Sequence, residues 1–312
     1  MYRSQRTIDI EPTFRKVTPI GYDYEDRDPI KFVATGFYYY HQWGITESEK
    51  QDDLPSTGPY IVTNKHIVLP NDSPDPNSLT AYTRNSSDLR STTRHHINLY
   101  NRSGEPLWRE HPNNKNIDIA MIPVNFEINS AEAFHRGDLL ADPSRVSGGQ
   151  MAQVIGYPEA LENFHRLPIL RQALVSSPFR IAYRDSPYFV IDARLHDGMS
   201  GSPVVYSPGY IELESPIQES DFQYSGKIKE LKGRTERSHS SLLGVHSGER
   251  VKFSQQIPVE DILEDLPNSK DRESNLEEYL KDLDKRVSNI ESETGVNRVW
   301  HAKYLDDIIR NI

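Results

Sequence analysis

The stretch HDGMSGSPVV, from His196 to Val205, sets a Met-Ser pair between two glycines and follows it with a proline and two valines. Ser200 is open to two readings: a turn serine, because Gly, Ser and Asp are the usual residues where backbone bends sharply, or a nucleophile. A serine nucleophile needs a base to take its proton, a group to orient that base, and donors for the oxyanion. His66 lies at the end of the apolar, β-branched run YIVTNKHIV, where a turn can aim a side chain into a cleft. A purely structural histidine fits the same place. Asp118 sits inside NKNIDIAMIPV, among apolar neighbours that penalise a carboxylate unless it is hydrogen-bonded or neutralised; alone it could equally cap a turn or face solvent. Together the three stand where strands meet turns. Their chain order, His, Asp, Ser, is one of those documented for a serine-imidazole-carboxylate constellation.

Two groups of short β-rich runs must position these residues. The first comprises KFVATGFYYYHQWG, YIVTNKHIVL, TAYTR, HINLYNR and IDIAMIPV; the second comprises GQMAQVIGYP, ILRQALVSS, YFVIDARL, SPVVYS and SLLGVHSG. Spaced strands with polar loops predict a barrel or sandwich. The boundaries expected are an N-terminal extension over 1–28, a first β-rich half over 29–127 carrying His66 and Asp118, a connection over 128–148, and a second half over 149–260 carrying Ser200. Residues 261–295 differ: Leu276, Tyr279, Leu280, Leu283, Val287 and Ile290 form one apolar helical stripe in a highly charged segment. Ser274 and Glu277 have the form of a capping box, and Gly295 is a stop signal. This predicted helix, 275–293, either packs on its own domain or binds a protein partner. Residues 296–312 read as a final strand and an amphipathic helix.

Composition narrows the setting. With 312 residues and 36% hydrophobic content the chain can bury one large core or two packed halves. It has no cysteine, so disulfides and thiolate metal sites are unavailable and a cytoplasmic setting is expected. A net charge of −10 argues against nucleic acid as the main partner. No apolar run approaches the roughly 18 residues of a membrane span, and MYRSQRTIDIEPTFRK has no apolar h-region, so neither a membrane nor secretion is expected. His95 and His96 are adjacent and would face opposite sides of a strand. With no HExxH or Asp-rich calcium loop, no metal or other cofactor is expected. Trp43, Trp108 and Trp300 read as core or rim residues.

The motifs TGFYYY, YIVTNKHIV, IDIAMI, IGYP, DGMSGSPVV and LLGVHSG, spread over about 33–250, resemble the trypsin-like (chymotrypsin-fold) serine peptidases of the cysteine-free bacterial kind. That resemblance implies an all-β core of two six-stranded antiparallel barrels, a C-terminal helix, and a protein or peptide substrate. It implies His66 as general base, Asp118 as the group that orients it, Ser200 as nucleophile, and the N–H groups of Gly198 and Ser200 as the oxyanion hole. It also gives Ser247 a supporting hydrogen bond to Asp118. Met199 departs from the pattern: digestive members have an aspartate there that pairs with a newly cleaved N-terminus, so the loop is expected to need no such cleavage. Ser202, in GSP, and GVHSG are similar to glutamyl endopeptidases. By that likeness His246 is a substrate-binding residue, and Arg194, which falls where trypsin carries the acidic residue that selects Lys and Arg, is a second with the sign reversed; both favour Glu, Asp or Gln before the scissile bond. Leu195, where those enzymes have a small hydroxyl residue, leaves an apolar preference open, and His246 is also open to a structural role. The alternative function is an idle trypsin-like domain that binds a protein through its helical insertion.

Overall fold

Aromatic and β-branched residues fill the runs that pair into sheets, as their fit to a pleated, half-buried surface requires. The computed structural model describes residues 11–22, 32–41, 58–70, 75–85, 88–159, 165–206, 241–250 and 296–310. A short helix, α1 (Glu11–Arg15), leads into β1 (Val17–Tyr22), β2 (Phe32–Tyr40) and β3 (Pro59–Thr63), then helix α2 (Lys65–Val68), β4 (Ser78–Arg84), β5 (Thr92–Asn98) and β6 (Ala120–Pro123). These strands pair antiparallel in the order β5-β4-β1-β2-β3-β6, and the two-residue β7 (Phe134–His135) adds parallel to β2. β8 (Met151–Gly156), β9 (Ile169–Val175), β10 (Tyr188–Asp192), β11 (Pro203–Tyr206), β12 (Ser241–Arg250) and β13 (Val296–His301) close into an antiparallel barrel, followed by helix α3 (Lys303–Arg310).

This is the expected chymotrypsin-like, all-β architecture, with one difference: the first sheet is a half-barrel. Its edges β5 and β6 do not pair directly. The chain between them spans the gap through the isolated bridges Tyr100↔Pro106 and Arg109↔Met121. The structure also corrects the boundary at residue 29. β1 lies inside the supposed extension, yet it is an interior strand between β2 and β4. Pro19 and Gly21 hide it, because both argue against a central strand; Pro19 is nevertheless accommodated opposite Thr35, and the register shifts at Ile20/Gly21. The expected final strand and helix are present, with Tyr304, Leu305, Ile308 and Ile309 of α3 buried. The predicted helix 275–293, with Ser274 and Glu277, lies outside the described residues, as does Trp43. No described helix is long and apolar enough to cross a membrane.

One core fills the half-barrel around Ile20, Tyr38, Ile61 and Leu79, and another fills the closed barrel around Val154, Phe189, Val204 and Leu243. A third joins them, setting Phe37, Tyr39 and Tyr60 against Ile155, Val245, Trp300 and α3. The seam is also polar. Arg84, buried, donates to the carbonyls of Leu89 (2.6 Å) and His165 (3.3 Å), to the Arg166 carbonyl, and to the Tyr157 hydroxyl (2.7 Å). Burial pushes the Tyr157 pKa up to about 12, so the phenol keeps its proton and donates it to the Val17 carbonyl at 3.3 Å. Arg84→Met keeps the stem and removes every donor. It should lower the urea unfolding free energy by at least about 1.5 to 3 kcal/mol, the usual worth of a hydrogen bond to a charged group, without changing the far-ultraviolet circular dichroism.

Candidate active site

β3 ends at Thr63, Asn64 stays extended (φ −80, ψ 151), and the single turn of α2 then carries His66. Ile67 and Val68 anchor that turn in the core, which leaves the His66 side chain on the other side, 33% exposed. Just before β6, Ile117 and Ile119 are both buried. In an extended chain their alternation sends Asp118 the opposite way. Its Oδ2 lies 2.8 Å from His66 Nδ1, and its Oδ1 accepts the His66 backbone N–H at 3.0 Å. Asn64 Nδ2 donates to the Asp118 carbonyl at 2.8 Å. The carboxylate can only accept, so Nδ1 carries the hydrogen and the neutral ring presents its Nε2 lone pair away from Asp118.

Ser200 lies in a loop whose backbone groups can be accounted for one by one, as buried peptide groups require. The His196 carbonyl accepts from Met199 N (3.1 Å), the Asp197 carbonyl from Glu159 N (2.8 Å), the Met199 carbonyl from Ser202 N (3.1 Å), and the Ser200 carbonyl from Thr35 N (2.8 Å). The Gly198 carbonyl accepts from the Thr35 hydroxyl at 2.8 Å. Gly201 N donates to the His246 carbonyl and His246 N to the Ser202 carbonyl, each at 2.9 Å, which ties the loop to β12. Among the described residues the N–H groups of His196, Asp197, Gly198 and Ser200 have no acceptor; Asp197 is exposed and His196 half-buried, whereas Gly198 is buried beside Ser200. Gly198 and Gly201 have φ of +88 and +83, and a Cβ on Gly201 would lie 2.2 Å from the Thr35 carbonyl oxygen. Across the loop, a Cβ on Gly248 would lie 2.0 Å from Ser200 Oγ, so only hydrogen at that position leaves room for the hydroxyl.

The remaining expected site residues are placed less uniformly. His246 is buried at 2% exposure, with Nδ1 2.9 Å from the Met199 carbonyl and Nε2 without a hydrogen-bond partner. Burial lowers its pKa, opposed by the Met199 carbonyl and the Asn297 side chain, and a charge on nearby His66 lowers it further. Arg194 is exposed between buried Ala193 and Leu195. Ser247 is buried and its Oγ makes no hydrogen bond, so the expected bond to Asp118 is not formed; both carboxylate oxygens are already engaged by His66. His95 is stacked on Phe126 and bonded to Thr83, whereas exposed His96 meets Asn98, in keeping with opposite faces of β5.

The sequence profile of the family described as "Trypsin-like peptidase domain" matches residues 34–211. The chain belongs to that family. The match spans β2 to β11, and with them His66, Asp118 and the whole Gly198–Ser202 loop of this trypsin-like domain. Among solved structures the domain is similar to the serine endoprotease from Yersinia pestis, at 12% identity and a TM-score of 0.38, over 76% of this chain and 55% of that one. The chain thus spans little more than half of that protein's length. No curated protein matches it.

Sequence reading missed Thr35 and Glu159, which hold the carbonyls of the Ser200 loop. Thr35 stands inside the quoted motif VATGFYYY, where a small polar residue in an otherwise buried strand is the available signal. For Glu159 the contact is made by backbone, and no side-chain type announces it. Gly104 has φ +79, and a Cβ added there would meet nothing within 4 Å. Gly104→Ala should therefore cost about 1 to 2 kcal/mol for the left-handed backbone alone. Gly201→Ala should add roughly 1 to 3 kcal/mol for the filled space, a difference that paired denaturant titrations will read.

Proposed function

We propose that this trypsin-like domain is a serine endopeptidase that cleaves through an acyl-enzyme, with Ser200 as nucleophile. The observation that carries the reading is the loop's hydrogen-bond inventory. Every carbonyl from His196 to Ser200 has a donor, while the N–H groups of Gly198 and of Ser200 itself are left without an acceptor in the described residues. Those donors are what an oxyanion at this serine would take. His66 serves as general base toward Ser200 and then as general acid toward the leaving amine, while Asp118 holds its tautomer and stabilises the imidazolium. Met199 is buried in the closed barrel's core, and the loop's contacts are all neutral, so activity in this reading needs no liberated N-terminal ammonium. A fluorophosphonate probe should label one serine of the intact chain, and Ser200→Ala should abolish both labelling and peptide cleavage. Asp118→Asn should keep the fold and lose on the order of 10⁴ in kcat. Labelling that survives Ser200→Ala, or an intact chain that is inert until trimmed, would overturn the assignment.

The side-chain preference rests on His246. The Met199 carbonyl is an obligate acceptor, so Nδ1–H is committed to it, which leaves buried Nε2 as an acceptor when the ring is neutral and as a donor when it is protonated. Burial holds the ring neutral below its ordinary pKa. The neutral ring suits the amide of Gln; protonation suits the carboxylate of Glu or Asp. The ratio of kcat/KM for Glu over Gln peptides should therefore rise as pH falls below the ordinary histidine value, and His246→Ala should abolish that pH dependence. The same variant should lose about 10- to 150-fold in kcat/KM on the preferred substrate. Cleavage mostly after Lys, Arg or aliphatic residues would refute the preference.

A further inference from the structure

Thr35 is fully buried in β2, and every polar group it owns is engaged at the seam between the two halves. Its N–H donates to the Ser200 carbonyl at 2.8 Å, and its carbonyl accepts from Thr63 Oγ1 at 2.9 Å. Its hydroxyl accepts from the Tyr157 N–H at 2.9 Å and donates to the Gly198 carbonyl at 2.8 Å. The hydroxyl's direction is not a matter of choice. A backbone N–H can only donate and a carbonyl can only accept, so the single hydroxyl hydrogen must point at Gly198.

That bond fixes a peptide plane. In a trans peptide the C=O and the following N–H point in opposite directions, so holding the Gly198 carbonyl toward Thr35 turns the Met199 N–H the other way, onto the His196 carbonyl. The preceding plane is held in the same manner: Glu159 N takes the Asp197 carbonyl, which leaves the Gly198 N–H facing away from the 157–159 segment. Gly198 lies against that segment closely, since a Cβ there would be 2.4 Å from the Tyr157 carbonyl oxygen. Thr35 joins the two clamps, because the Tyr157 N–H it accepts belongs to the segment that carries Glu159. Its backbone also reaches, through Thr63, the strand that leads to His66.

We propose that Thr35 is a positioning residue for the oxyanion hole, its buried hydroxyl orienting the Gly198 peptide so that the Gly198 and Ser200 N–H groups converge. The proposal rests on the serine peptidase reading above. Without the hydroxyl, the Gly198 carbonyl and the Tyr157 N–H both lose their partners, and the plane is free to turn. The effect falls on transition-state stabilisation and leaves ground-state binding in place.

The test uses the full chain and a peptide that the wild type cleaves. Thr35→Val, which matches the shape and lacks the hydroxyl, should lower kcat by about 10- to 100-fold with KM within about threefold. The inhibition constant of a peptide aldehyde, whose adduct with Ser200 places an oxygen in the hole, should weaken in step with kcat. Thr35→Ser should restore both to within about threefold. Thr35→Ala carries the same comparison if the valine variant does not fold. A valine or alanine variant with wild-type kcat and aldehyde affinity would overturn the proposal, and so would a loss that serine does not rescue or one that appears in KM. A wild type that neither cleaves nor takes up fluorophosphonate would instead overturn the peptidase reading itself.

Discussion

The Ser200 loop is built at a seam, and buried peptide groups at a seam must find partners on the other side or go without. Here one strand residue of the half-barrel, Thr35, supplies donors to two carbonyls of the loop and acceptors to Thr63 and Tyr157. The closed barrel cannot set the loop's conformation by itself, because the Gly198 and Ser200 carbonyls point out of it. Nor can β2 reach the loop through bulkier neighbours. A Cβ on Gly156 would lie 2.8 Å from Thr35 Oγ1 and 2.0 Å from Ser202 Oγ, and one on Gly201 would strike the Thr35 carbonyl. Glycines at these positions are the geometric condition for threonine's hydrogen bonds.

The same seam places His66. β3 pairs with β2 and ends at Thr63, whose hydroxyl holds the Thr35 carbonyl; three residues later the chain reaches His66. Displacing β2 would therefore move the imidazole and the serine loop together, which preserves their relation better than two independent anchors would. Asp118 adds the third point. Asn64 holds its backbone and His66 its side chain, so both ends of the residue are referred to the β3–α2 turn. The joint core of Phe37, Tyr39 and Tyr60 against Val245 and Trp300 supplies the non-directional part of the attachment.

Much of this was legible in the residues. The runs around Tyr60, Ala120, Val154, Val204 and Leu243 are strands because each offers β-branched or aromatic residues bounded by turn residues, and each lies near where it was expected. β1 was not legible, since Pro19 and Gly21 speak against a strand and only pairing on both sides, with β2 and β4, overrides them. The pairing of His66 with Asp118 could be anticipated from an isolated carboxylate in an apolar run. The placement of Ser247 could not: whether a side chain near a motif faces the site depends on strand alternation and local packing, and likeness of motif does not carry those. Thr35 was hidden for a different reason. Its role belongs to contacts with Gly198 and Ser200, far along the chain, and a small polar residue in a buried strand signals only that the hydroxyl has a partner, without saying which.

Met199 illustrates the consequence of holding such a loop by neutral bonds. The residue packs with Val154, Leu243 and Val204, where a carboxylate would be desolvated and would need a cation beside it. With methionine the position adds apolar contact and asks for no counter-ion, so the loop's conformation falls to peptide carbonyls, one hydroxyl and backbone N–H groups. None of these titrates in the range where histidines do, and none is screened appreciably by salt, unlike an exposed ion pair. The His246 imidazole is the titratable group bonded to this loop among the described residues, and it keeps its Nδ1–H on the Met199 carbonyl whether the ring is neutral or protonated. In the peptidase reading, pH acts through the two imidazoles: His66, held to Asp118, and His246, held to the Met199 carbonyl beneath the same loop. A charge on His66 is felt at His246, whose pKa it lowers further.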